Sequence, residues 1–425
     1  MDAIISLLLL GIFFNPVQIK AEPPKIILDV DKPLLTKIPV AVPDFLSAAP
    51  GPVSGRDLAE IIRRDLYLTA IFQIVDPTPP ISTSANGEPD FDRWNQAGVQ
   101  VLILGSFQTM GDELTLEVRL YDVALKKLEI GKRYSGKIRD HRRMIHRFAD
   151  RVMEKLTSVP GCFSTKIAFV GDSQSREVFS MDFDGHNPAQ LTRNGSINLS
   201  PDWSPDGRNI VFTSYMNGNP DALAMDLSNL SLRAVSSRPG LNASPRYSPD
   251  SNSIALSMSF NGLPKLFIVT PQGNIIKRLT EGRGNDISPA WSPDGSAIAY
   301  VSDQAGTPQI YIVPTGGGQP RRLTFNGNYN TDPDWSPRGD LLAFTTRIEG
   351  RFQICTIRTD GTDLRVLTKT GSNQDPTWSP DGRFIAFMSE RDGRRRIYIM
   401  DARGEIQVPV SPITGKCPAW SRHSW

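Results

Sequence analysis

At 425 residues the chain exceeds what one ordinary core supports and divides best into two domains. Its 47 basic and 45 acidic side chains leave a net charge of +2, which argues against nucleic acid as a partner. The 3 cysteines are odd in number and far apart, so they form neither a disulfide framework nor a metal spacing.

Residues 4–14 are apolar except for Ser6 and Gly11. The run is too short to span a bilayer as a helix and has the length of the hydrophobic stretch of a secretory signal. Pro16 helps to end it, and cleavage is expected after Ala21, with Ile19 at the third position back. The leading segment carries Asp2 and no Lys or Arg, which a misplaced start codon would explain. Residues 1–21 are thus expected to be a signal peptide, with no transmembrane helix in the mature chain.

After residues 22–35, residues 36–157 have the texture of a small α/β domain. A strand is predicted over 38–42. A helix is predicted over 55–72, with Leu58, Ile61, Ile62 and Leu66 on one face and Ser54 as its N-cap. Residues 77–89 are a loop rich in Pro and Ser. Strands are predicted over 99–104, 113–121 and 126–135, and a last helix over 140–157. That helix buries Met144, Ile145, Phe148, Val152 and Leu156 and turns the basic run 139–147 to solvent. Strands with helices on one side predict a mixed sheet. Residues 158–163 are a linker short enough to limit relative domain motion.

From residue 164 a repeat takes over. Its copies are Ser200-Pro-Asp-Trp-Ser-Pro-Asp-Gly207, Ser244-Pro-Arg-Tyr-Ser-Pro-Asp-Ser251, Ser288-Pro-Ala-Trp-Ser-Pro-Asp-Gly295, Asp332-Pro-Asp-Trp-Ser-Pro-Arg-Gly339 and Asp375-Pro-Thr-Trp-Ser-Pro-Asp-Gly382. A truncated copy, Cys417-Pro-Ala-Trp-Ser421, follows. The anchors Trp203, Tyr247, Trp291, Trp335, Trp378 and Trp420 lie 44, 44, 44, 43 and 42 residues apart, the period of a β-propeller blade. Each unit reads as four short strands separated by Gly/Asn/Asp turns. The first unit lacks an inner strand and the last has only that strand, so the two make one blade. The prediction is an all-β six-bladed propeller over 164–425, closed by its C-terminal strand, beside the smaller N-terminal α/β domain. Cys162 precedes the first blade and Cys417 begins its closing strand, so an oxidising compartment could bridge them.

The signal sequence, the small α/β domain and six such blades closing on Pro-Ala-Trp-Ser together resemble the TolB family of periplasmic propeller proteins. The resemblance covers essentially the whole mature chain. Departures are Arg338 for Asp, Ser251 for Gly and the tail 422–425. It implies a non-enzymatic role in the Gram-negative periplasm, as part of the Tol–Pal system that supports outer-membrane integrity and constriction at division. The implied partners are the lipoprotein Pal at the propeller mouth and TolA at the mature N-terminus, with other outer-membrane proteins and colicins as further ones. A monomer without cofactor or metal is expected. For TolA the candidates are Lys25, Ile26, Ile27, Leu28 and Asp29, in a β-prone segment able to add to a sheet edge. For Pal they lie in the polar loops leading into the inner strands: Asn198, Ser200, Asn242, Ser244, Asp286, Ser288, Tyr329, Asn330, Asp332, Asn373 and Asp375. Asp202, Arg246 and Asp334, at the x of Pro-x-Trp, turn away from the anchor toward the channel, where two carboxylates could hold a cation.

Two alternatives are the propeller of a periplasmic peptidase and a propeller that binds a glycan or peptide. A peptidase needs the elbow Gly-x-Ser-x-Gly, and Gly171-Asp-Ser-Gln-Ser175 lacks its last Gly. No His-Glu-x-x-His occurs, and His141, His146, His186 and His423 have no metal spacing.

Overall fold

A computed structural model describes residues 36–47, 51–76, 88–259 and 262–424 of the chain. The expected signal peptide and the segment holding Lys25, Ile26, Ile27, Leu28 and Asp29 lie outside the described residues. The N-terminal domain is built on strands β1 (Ile38–Ala41), β2 (Leu46–Ser47), β3 (Phe72–Val75), β4 (Val101–Met110), β5 (Glu113–Asp122) and β6 (Lys127–Lys137). Their order is β3-β1-β4-β5-β6, with β2 also on β4. The β1 strand runs parallel to both neighbours, whereas β4, β5 and β6 form an antiparallel meander.

Helix α1 (Gly55–Leu68) starts where predicted, because the Ser54 hydroxyl accepts the Asp57 N–H at 3.0 Å. It ends earlier than the predicted Phe72. Ala70 takes a left-handed φ of 58°, which breaks the helix and lets Phe72 begin β3. Helix α2 (Phe91–Gln96) was not anticipated; its six residues are too few to show a period. Helix α3 (His141–Thr157) follows a 3-10 turn over Ile138–Asp140. The apolar faces of α1 and α3 meet the sheet in one core with Val101, Ile103, Leu114 and Leu116. Trp94 of α2 packs with Ala41, Val99 and Leu102 in a separate small cluster, so the helices do not all serve one layer.

The rest is six four-stranded antiparallel sheets. The first blade is composite: Gly415–Trp420 is its inner strand, beside Lys166–Gly171, Val178–Asp182 and Ala189–Gln190. The second to sixth blades begin at the inner strands Asn198–Trp203, Asn242–Tyr247, Asp286–Trp291, Asn330–Trp335 and Asn373–Trp378. In the Ser-Pro-Asp-Gly turns Ser carries the geometry: the Ser204 hydroxyl donates to Asp206 at 2.6 Å and accepts the Asn209 N–H at 2.9 Å. Gly207 closes that turn at φ 72°. The latch is physical. Ser421 N–H donates to the Lys166 carbonyl at 2.9 Å, and the buried Trp203 indole donates to the Ala419 carbonyl at 3.0 Å.

The domains are docked face to face. Phe163, Phe183, Phe384 and Trp420 form an aromatic cluster with centroids 5.3 to 6.3 Å apart, inside the same core as α1 and α3. Arg383, buried just after the sixth blade's Ser-Pro-Asp-Gly turn, donates to the Pro160 and Val159 carbonyls at 3.0 and 3.2 Å and to Thr157. The 158–163 linker is therefore clamped.

His146 on α3 sits between Asp65 of α1, at 2.7 Å, and Asp184 of the first blade, at 3.1 Å. Arg142 pairs with the same Asp184. Burial alone would lower the imidazole, but the two carboxylates outweigh it and raise His146 to about 10. Asp184 is held well below the usual carboxylate range: burial pushes it up, and the bonds from His146 and His186 and the charge of Arg142 more than reverse that. A Cys162–Cys417 bridge, which an oxidising compartment could have formed, is not present. Both thiols are free: Cys162 is buried in the core shared by the domains, and Cys417 faces the channel.

Candidate functional site

Each inner strand carries a bulge just before its Pro-x-Trp, seen as a register shift between Leu199 and Asp202 and at the matching places of the other five. The bulge residue is left-handed in every blade: Ser200 at φ 50°, Ser244 and Ser288 at 52°, Asp332 at 51°, Asp375 at 56° and Cys417 at 49°. A left-handed residue with a side chain costs about 1–2 kcal/mol, and short polar side chains tolerate it best. The six line one end of the central channel around a cavity of about 60 Å³. Neighbouring blades brace the ring. Ser244 N–H donates to the Thr213 hydroxyl at 2.9 Å, Asp375 N–H to Thr345 at 3.2 Å and Cys417 N–H to Asp375 at 3.1 Å.

One layer deeper, the x residues of Pro-x-Trp also join blades. Asp202 accepts the Tyr247 N–H at 2.8 Å and Asp334 the Trp378 N–H at 2.7 Å. Arg246 donates to the Ser200 and Pro201 carbonyls at 3.2 and 3.3 Å. The carboxylates are thus occupied by backbone donors, and Arg246 supplies the positive charge foreseen for a bound cation. Among the described residues no cluster of three or more His, Cys, Asp or Glu side chains is placed to hold a metal. Burial raises Asp202, with Arg246 opposing it, and raises Asp334 to about 6. Asp332, enclosed in the channel beside Asp375, is raised to about 7 by burial and by that neighbour's charge.

The structure divides the predicted rim residues. Ser200, Ser244, Ser288, Asp332 and Asp375 stand together at the mouth, and Tyr329 is exposed on a leading loop with its ring centroid 5.6 Å from that of Phe352. Asn198, Asn242, Asp286, Asn330 and Asn373 do not face a partner; they are buried at the starts of the inner strands. Asn330 donates to Gln309 and the Asn326 carbonyl at 2.8 and 2.9 Å, and Asn373 to Gln353 and the Thr370 carbonyl, both at 3.0 Å. Asn198 and Asn242 are bonded within their loops in the same way, and Asp286 pairs with buried Lys265 at 2.8 Å. Loop polarity here serves the inside of the blade.

Strands alternate in direction, so the loops leading into the inner strands share a face with the hairpin tips between second and third strands. The α/β domain covers the opposite face, through the turns at Arg383 and Asp184. On the open face stand the exposed apolar residues Ile197, Tyr329 and Ile413 of the leading loops, Tyr215, Met216 and Leu263 of the tips, and Phe325. Apart from Tyr329, these residues and Cys417 were missed. For Cys417 the signal was its place before Pro-Ala-Trp, the same offset as Ser200; for the tips it was apolar residues inside Gly/Asn-rich turns.

A six-bladed propeller with an open, partly apolar mouth, carried on a small α/β domain, defines a two-domain propeller protein. The description TolB beta propeller domain matches residues 153–424, and TolB amino-terminal domain matches residues 26–128. The chain belongs to the TolB family. It is 38% identical over 202 residues to the Tol-Pal system protein TolB of Desulfosudis oleivorans, covering 45% of this chain and 46% of that one. Against the protein of the same name from Geobacter metallireducens it is 43% identical over 171 residues, 40% of each. The chain thus spans about half the length or less of these curated relatives, which are named as Tol–Pal components and not as enzymes. TolB from Acinetobacter baumannii superposes with a TM-score of 0.80 at 26% identity, over 91% of this chain and 97% of that one. No helix among the described residues is long and apolar enough to cross a membrane.

Proposed function

We propose that this protein is a non-enzymatic, periplasmic binding component of a Tol–Pal envelope system. Its propeller mouth takes a Pal-type lipoprotein, and its N-terminal segment takes a TolA-type protein. The observation that carries this reading is the open face, where a ring of six left-handed residues is surrounded by exposed apolar side chains. Exposed apolar groups with a polar ring at their centre offer the burial and the hydrogen bonds that a protein interface combines. Membership of the family supplies the system, and docking of the α/β domain on the far face leaves the mouth uncovered.

Affinity capture from the envelope of the producing cell tests this. The wild type is expected to retain a peptidoglycan-associated lipoprotein. Replacing Tyr329→Ala together with Asp332→Ala should weaken that retention at least about tenfold without lowering the TolA-type signal. Deleting residues 22–35 should do the reverse. Failure of the wild type to retain any such lipoprotein would overturn the proposal, whereas equal retention by the double variant would overturn only the mouth.

A further inference from the structure

At one register position of the third strands a ring stands in four blades, Phe179, Phe267, Tyr311 and Tyr398, whereas the second blade has Leu223 and the fifth has the smallest side chain, Cys355. On the two central strands, Tyr300 faces Tyr311 in the fourth blade, Phe387 faces Tyr398 in the sixth and Phe169 faces Phe179 in the first. Their ring centroids are 5.9, 5.9 and 5.7 Å apart. In the fifth blade the same register pairs Phe344 with Cys355. Among the described residues Phe344 has no ring beside it.

Where the missing ring would stand there is a cavity of about 180 Å³. Phe344, Cys355, Leu323 and Ile357 form its inner wall. Its border is apolar and open: Phe325 is 71% exposed, Leu364 41% and Val366 40%. The Arg322 guanidinium lies 4.8 Å from the centre of the Phe325 ring, and Arg347 reaches the wall from the hairpin side. In the sixth blade the corresponding ring, Tyr398, has the Arg391 guanidinium 4.6 Å above it, so a cation near this ring position is part of the blade's own chemistry. A dry, apolar cavity of about 150 Å³ is large enough to take benzene. Burial pushes the Cys355 thiol up to about 12, so it presents a neutral, soft surface at the base.

We propose that this cavity is a binding site for a single-ring aromatic compound of the phenol class, which replaces the ring that four sister blades carry covalently at the position of Cys355. The ring lies against Phe344 over the Cys355 sulfur, and its polar substituent points to Arg347 and the mouth. The site lies between the fourth and fifth blades, away from the channel, and shares Phe325 with the open face.

Titration calorimetry with p-cresol tests the proposal. One saturable site is expected, with a dissociation constant between about 10 μM and 1 mM. Cys355→Tyr supplies the ring from the chain and should weaken binding at least about tenfold while raising the thermal midpoint. A second measurement on the wild type does not depend on that variant folding. Bound p-cresol should slow modification of Cys355 by methyl methanethiosulfonate at least about threefold, read by peptide mass mapping. The absence of a saturable heat at millimolar p-cresol, unchanged binding in a folded Cys355→Tyr protein, or an unprotected Cys355 would each overturn the site. Binding of a tyrosine-containing peptide but not of p-cresol would equally overturn it in favour of a macromolecular partner.

Discussion

Six residues at the channel mouth share a backbone conformation and differ in side chain: three serines, two aspartates and a cysteine, all at φ near 50°. Their positions are readable from the repeat, because each stands immediately before Pro-x-Trp; their left-handed bulge is not, because no residue there is Gly. The chemistry of the ring is concentrated at Asp332, raised to about 7 by burial and by Asp375. A carboxyl raised in the folded state holds its proton more tightly there than in the unfolded chain. Its contribution to stability therefore falls as pH rises from about 4 to about 7. Asp332→Asn removes the ionisable proton and keeps the shape. Urea unfolding should find the variant more stable than the wild type at pH 8, by on the order of 2 kcal/mol, with the difference vanishing at pH 4.

Among elements, α1 and α3 were legible from their apolar faces, whereas the end of α1 was not. The apolar residues Ile71 and Phe72 continue the helical pattern, and only the left-handed turn at Ala70 hands them to β3. Equally hidden was the role of His146, which the sequence leaves as one histidine on a basic helix. The fold places it between a carboxylate of its own domain and one of the propeller. Its value is raised from the ordinary 6.5 to about 10, so its stabilising contribution is complete below pH 6.5 and is lost as pH climbs toward 10. His146→Gln leaves two buried carboxylates with too little positive charge and should cost about 3 kcal/mol at pH 7. The gap between variant and wild type should narrow as pH approaches 10, measured by urea midpoints across that range.

At the scale of the whole molecule, stability is closed through the first blade. Gly415–Trp420 pairs with Lys166–Gly171, and Trp420 enters the aromatic cluster that also joins the α/β domain. Truncation after Ile413 would leave an unpaired strand edge, remove the carbonyl that Trp203 uses and open the shared core. The expected result is loss of the cooperative thermal transition and aggregation on size exclusion, not a small shift in midpoint. A truncated protein that melts as sharply as the full chain would refute the latch.

Taken alone, the sequence determined the number of blades and their closure, because a period near 44 and two complementary half-units leave no other way to bury the repeated Trp, and the combination of that array with the N-terminal domain carried the resemblance to the family. Tertiary structure decided which polar residues are available. Asn198 and Ser200 are two residues apart on one strand, yet one is sealed in its blade and the other lines the channel. Burial of that kind depends on the hairpin loop and the neighbouring blade that cover a position. Those come from elsewhere in the chain, so local polarity does not report them.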